Sequence, residues 1–98
     1  MDFTIGPPDR QGEDMEKSIY TREYRLFADL LRETRERAGL TQVELAERLK
    51  QTQSHISKVE RGERRLDIVQ LRIHCRAINT TVSELVAEWE LQIGSRGR

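Results

Sequence analysis

Residues 41–62, TQVELAERLKQTQSHISKVERG, carry two helix-start signals eleven positions apart, which leaves room for two short helices and a three-residue connection. Thr41 and Glu44 form a T-x-x-E capping box, in which each side chain takes a backbone N–H at the other's position. Leu45, Ala46 and Leu49 then set an apolar stripe at helical spacing. Lys50, Gln51 and Thr52 make the connection, and the Thr52 hydroxyl can cap the next helix. Ile56 and Val59 anchor that second helix from one side, leaving Gln53, Ser54, Ser57 and Lys58 facing outward. Gly62 supplies the positive-φ residue that commonly ends a helix.

The rest of the chain extends this helical pattern. Ninety-eight residues suit one small domain. Aromatic residues are 5% of the total and no apolar/polar alternation is visible, so the expected fold class is all-α. Helix 1 is expected over residues 21–38, with Tyr24, Phe27, Leu31 and Ala38 on one face, Leu30 widening it and Gly39 as a left-handed stop. Helices 2 and 3 cover about 42–49 and 53–61, followed by a basic loop at 63–66. Asp67 and Gln70 make a second capping box for helix 4, whose inward stripe is Ile68, Leu71, Cys75 and Ile78, with Asn79 as its left-handed stop. Thr81 and Glu84 make a third for helix 5, which carries Val82, Leu85, Val86, Trp89 and Ile93. The expected organisation is therefore a flexible acidic arm over 1–20, rich in Gly6, Pro7, Pro8 and Gly12, a compact five-helix domain over 21–93, and a frayed tail over 94–98.

Charge distribution narrows the class of partner. A helix whose first turn displays amide, hydroxyl and ammonium groups is suited to reading the edges of bases. The formal net charge is zero, but residues 1–20 hold five acids against two bases, while residues 41–76 hold eight bases against five acids. Positive charge thus gathers around the outward-facing helix, as a phosphate-binding surface requires, and the modest excess implies moderate, salt-sensitive binding. No apolar run approaches the roughly 18–20 residues that cross a bilayer, and no signal peptide is visible. No membrane association is expected, and the cytoplasm is the expected location. Cys75 is the only cysteine, which excludes an internal disulfide and a Cys-rich zinc site. No cofactor or metal is expected. Ser54 and His55 lack a positioned carboxylate and an oxyanion site, and no phosphate-binding glycine loop is present, so the chain does not read as an enzyme.

Leu40–Thr41–Gln42, Glu44–Leu45–Ala46, Gln53–Ser54, Ile56–Ser57, Glu60 and Gly62 together resemble the phage repressor/Cro-like helix-turn-helix domain. The resemblance covers about residues 24–86, including 66–71 and the start of helix 5. It implies a five-helix, repressor-like domain that binds double-stranded DNA with helix 3 in the major groove. By position, Gln53, Ser54, Ser57 and Lys58 would face bases. Gln42 would hold a backbone phosphate, joined by Thr41, Thr52, Arg61 and the loop residues Arg64 and Arg65, while His55 would touch a phosphate or a base. Arg35 and Glu60 match a structural ion pair between helices 1 and 3. Two departures stand out: Lys50 occupies the turn position usually held by glycine, and a single base-facing glutamine leaves the operator sequence unspecified.

Each assignment has a plainer competitor. The outward polar residues of helix 3 can be simply solvated, and Arg61, Arg64 and Arg65 can pair with Glu63 or Asp67. Cys75 is expected to pack in the core, with the adjacent His74 on a different face of helix 4. Val82, Leu85, Val86, Trp89 and Ile93 can complete the domain's own core or form a two-fold contact; a dimer would set two reading helices about 34 Å apart over a palindromic operator. The functional expectation is a sequence-specific, homodimeric transcriptional regulator, in the first place a repressor. The alternatives are an antitoxin or restriction-modification controller that also binds a protein partner through the N-terminal arm, and a protein–protein adaptor on the same fold.

Overall fold

Helix starts marked by side-chain caps in the sequence are helix starts in the computed structural model, which describes residues 14–96. The elements are α1 (Asp14–Arg37), α2 (Gln42–Leu49), α3 (Gln53–Glu60), α4 (Ile68–Ala77) and α5 (Val82–Arg96). At α2, Thr41 Oγ1 accepts the Glu44 N–H at 3.0 Å and Glu44 Oε1 accepts the Thr41 N–H at 2.9 Å. Asp67 and Gln70 make the same reciprocal pair at α4, at 2.7 and 3.0 Å. Thr52 Oγ1 accepts the His55 N–H at 3.0 Å. The third expected box forms on one side: Thr81 Oγ1 accepts the Glu84 N–H at 3.1 Å, while Glu84 Oε1 takes the Thr80 hydroxyl at 3.2 Å.

The turn between α2 and α3 rests on Lys50, which adopts the left-handed conformation at φ 57° and ψ 44°. Its N–H turns back to the Ala46 and Glu47 carbonyls, which stops α2. A side chain with a Cβ strains in this region. Lys50→Gly is therefore expected to raise the unfolding free energy by up to about 1 kcal/mol in urea denaturation, and a loss of stability would show that the lysine makes a compensating contact. Among the described residues Asn79 is the other non-glycine residue at positive φ, 67°, and it follows α4 as the expected left-handed stop.

Four expectations change. Helix α1 begins at Asp14, seven residues before the expected start. The Gly/Pro signal that suggests an arm ends at Gly12, and the segment after it carries only residues compatible with a helix, with Asp14 and Glu16 suited to a helix N-terminus. The remainder of the expected arm, residues 1–13, lies outside the described residues. At the other end α5 continues through Gly94 to Arg96, where a frayed tail is expected, and residues 97–98 lie outside the described residues. On α4, Ile68 is 65% exposed instead of inward. The buried arc of that helix is completed by His74, on the side away from Ile68, beside Leu71, Cys75 and Ile78. His74 and Cys75, expected on different faces, are both buried.

The core lies where α1 packs against α3 and α5 while α4 packs against α2 and α5. Leu30, Leu31, Leu45, Ile56, Val59, Cys75, Ile78 and Leu85 fill it. Full burial of each large aliphatic side chain contributes about 1.5–3 kcal/mol. Leu85 belongs to this core, and Val82 and Trp89 are partly buried and pack against it. Trp89 sets its ring edge-on to Phe27, with centroids 5.2 Å apart, and its indole N–H donates to the Glu23 carbonyl at 2.9 Å. Val86 and Ile93 are half-buried.

Candidate nucleic-acid interface

Helix α3 is fixed from behind and open in front. Ile56 and Val59 are fully buried, whereas Gln53, Ser54 and Lys58 are exposed and His55 and Ser57 half-buried. The outward polar face expected from the sequence therefore exists, with its start at the Thr52 cap.

A chain of polar contacts runs from the interior to that face. The Arg35 guanidinium grips the Glu60 carboxylate through Nε–Oε2 at 2.7 Å and Nη2–Oε1 at 3.0 Å. Both side chains are almost fully buried. Arg35 Nη1 also donates to the Leu40 carbonyl at 2.7 Å, tying the end of α1 to the segment before α2. The hydrogen bond from Arg35 to Glu60 and their mutual attraction raise the arginine's pKa against the opposing effect of burial. Glu60 Oε1 also accepts from Gln42 Nε2 at 3.0 Å, and Gln42 Oε1 accepts from Gln53 Nε2 at 3.2 Å. One Gln53 amide proton is engaged there, leaving the other proton and the carbonyl oxygen, the donor and acceptor that an adenine edge takes. The sequence gives the two glutamines separate tasks; their link to each other, and through Glu60 to Arg35, has no local signature.

Around this face lie the residues assigned to phosphate. Thr41 and Thr52 accept backbone N–H groups as caps, and each hydroxyl retains its own proton for donation. Arg61, Arg64 and Arg65 are exposed. Arg61 takes the competing partner foreseen for it: Nε and Nη2 donate to the Glu63 carboxylate at 3.0 Å each, and Nη1 to Ser57 Oγ at 2.6 Å. Those contacts raise the Arg61 pKa and lower that of Glu63, but both groups are over half exposed, so the pair adds little stability. Lys58, Arg64 and Arg65 form no salt bridge among the described residues. Arg65 lies over the Tyr24 ring, its guanidinium carbon 4.3 Å from the centroid, and burial pushes the Tyr24 hydroxyl's pKa up against the charges of Arg65 and Arg25. Burial, and then the charge of Arg64, lower the His55 pKa.

Arg25 carries no signal in the sequence. It reaches from α1 to the end of α3, where Nη2 donates to the Glu60 carbonyl at 2.9 Å and Nη1 to the Arg61 carbonyl at 3.0 Å. A pairing across 35 and 36 residues leaves no trace in local spacing.

The other reactive side chains point inward. Burial pushes the Cys75 thiol up to about 11, far from the thiolate that attacks or binds metal. No group of three or more His, Cys, Asp or Glu residues placed to hold a metal occurs among the described residues, and no helix there is long and apolar enough to cross a membrane.

A short helix with an exposed polar face, seated on a preceding capped helix through a three-residue turn and flanked by exposed basic residues, defines a helix-turn-helix DNA-binding domain. The helix-turn-helix domain family matches residues 26–89, more than half of the chain. An XRE-family like protein from Pseudomonas syringae pv. tomato str. DC3000 is 41% identical, with a TM-score of 0.73 over 82% of this chain and 98% of that one. The clp gene regulator ClgR from Corynebacterium glutamicum is 26% identical, with a TM-score of 0.64 over 69% of this chain and 87% of its own. A second ClgR structure, at 24% identity and a TM-score of 0.69 over 76% and 80% of the two chains, shares the fold. No curated protein matches at a significant level. The chain belongs to the XRE-type, Cro-like family of helix-turn-helix DNA-binding regulators. Its function is accordingly DNA-binding transcriptional regulation, a non-enzymatic task.

Proposed function

We propose that this regulator is a cytoplasmic repressor that recognises a palindromic operator as a homodimer, with α3 in the major groove. Gln53, Ser54, Ser57 and Lys58 read bases in this proposal, and Thr41, Gln42, Thr52, His55, Arg61, Arg64 and Arg65 hold the backbone. The observation that carries it is the orientation of α3: its apolar side is sealed into the core, and its polar side is exposed and braced through Gln42. Gln53 suits adenine and Lys58 suits guanine O6/N7, while the loop arginines supply sequence-independent attraction. The two-fold contact is assigned to Val86 and Ile93, which lie seven residues apart and therefore on one side of α5. Blocking of polymerase by the bound dimer is the mode of repression.

Selection of bound duplexes from a random pool tests the reading. The wild type should enrich an inverted repeat whose half-sites are about 10 base pairs apart, one helical turn. Gln53→Ala and Lys58→Ala should each relax one position per half-site, with discrimination there falling by about 1–3 kcal/mol. Enrichment of the same motif by both variants removes the base-reading assignment, and a single half-site removes the dimer.

A further inference from the structure

The bonds from Arg25 to the end of α3 have a role that the base-reading residues alone do not explain. A helix leaves its last carbonyls without intrahelical partners, and the negative end of its dipole favours a cation there. Here the cation comes from α1: one guanidinium takes the carbonyls of Glu60 and Arg61 at 2.9 and 3.0 Å. Glu60 is held a second time, by its carboxylate, through Arg35. Thus α1 grips α3 through both main chain and side chain, from two residues ten positions apart. Ile56 and Val59 oppose withdrawal of α3 from the core, but apolar packing is non-directional and leaves rotation about those anchors weakly opposed. Hydrogen bonds to the terminal carbonyls are directional and oppose that rotation. Gly62 follows the junction at φ 79°, where a side chain is strained by the backbone; a Cβ built there would only touch Arg25 Nη2 and the Tyr24 ring, at 3.5 and 3.6 Å.

We propose that Arg25 is a positioning residue for sequence discrimination, setting the angle at which α3 presents its outward side chains. It acts through the α3 carbonyls and makes no contact with a base or a phosphate. The inference rests on α3 being the reading helix.

Its test compares the affinity for a selected operator with that for a random duplex at two salt concentrations, in the full-length protein. Arg25→Met should weaken operator binding about ten-fold, the scale of one impaired base contact. Its affinity for random duplex and its salt dependence should stay unchanged. Arg25→Lys, whose ammonium can still reach a carbonyl, should recover most of the loss. Asp29→Asn should change nothing, since Asp29 makes only a loose 3.6 Å pair with Arg25. Equal weakening on both duplexes with a salt slope about one unit shallower would make Arg25 a phosphate contact and overturn the proposal. A lower melting temperature with an unchanged operator-to-random ratio would overturn it too, leaving only a structural role. A wild type without sequence preference would sink the parent reading itself, an outcome visible before any variant is compared.

Discussion

Arg35→Met is expected to lower the unfolding free energy by about 3–5 kcal/mol, to be checked by urea denaturation at pH 7. The size follows from what is left behind. Glu60 is 5% exposed and keeps only its bond from Gln42, so the variant holds a charge out of water with most of its compensation removed. The Leu40 carbonyl also loses its 2.7 Å donor. A domain of this size has about 5–15 kcal/mol of total stability, so the single change takes a large share of it. The native pair need not be worth that much, because desolvation of both ions opposes their attraction. The double variant Arg35→Met, Glu60→Met should accordingly be more stable than Arg35→Met alone. A loss below about 1 kcal/mol in the single variant would mean that water reaches the site, as it does for exposed pairs.

Acid should weaken the fold through His74 before carboxylates titrate in bulk. The imidazole is 2% exposed, its Nε2 has no hydrogen-bond partner among the described residues, and burial pushes its pKa down from 6.5 to about 4. Glu60 pulls the other way and His55 adds to the depression. The folded protein therefore refuses a proton that the unfolded chain accepts below pH 6.5. Stability from this residue is complete above pH 6.5 and declines as the pH falls towards 4, by about 3 kcal/mol in all; below 4 both states are protonated and the contribution stops changing. His74→Met should flatten most of that slope, leaving the smaller share of His55, whose pKa is also lowered. It should also be at least as stable as the wild type at pH 7, since it removes a buried polar atom without a partner. An unaltered slope in His74→Met would place the acid sensitivity elsewhere.

Features written in a few adjacent residues are legible in the sequence itself. The Thr41–Glu44 and Asp67–Gln70 boxes, the glycine stops, Asn79 and the strained Lys50 each depend on backbone geometry over three or four positions. The Arg35–Glu60 pair is legible through resemblance, and the structure sets it at 2.7 Å. Features that depend on which element lies opposite are less visible. Ile68 has the spacing of an inward residue, but the buried arc turns towards His74. The apolar side of α5, taken as a pattern, suits a partner molecule as well as the domain's own core; that Trp89 meets Phe27 and the Glu23 carbonyl emerges only in the folded chain. The paired amides of Gln42 and Gln53 and the reach of Arg25 arise only once α1, α2 and α3 are assembled.

The coupling of Gln53 to Gln42 and Glu60 has a practical consequence for anyone retargeting this regulator. In the proposed reading, Ser54 and Lys58 stand clear of the polar chain behind them and can be exchanged as separate letters. Gln53 and Ser57 are coupled to neighbours: replacing the first removes the 3.2 Å bond to Gln42, and replacing the second removes the 2.6 Å bond from Arg61. On the proposed reading, a library that varies all four positions independently would disturb the Gln42 and Arg61 contacts alongside base preference, whereas one that varies Gln53 together with Gln42 would keep the first of these matched.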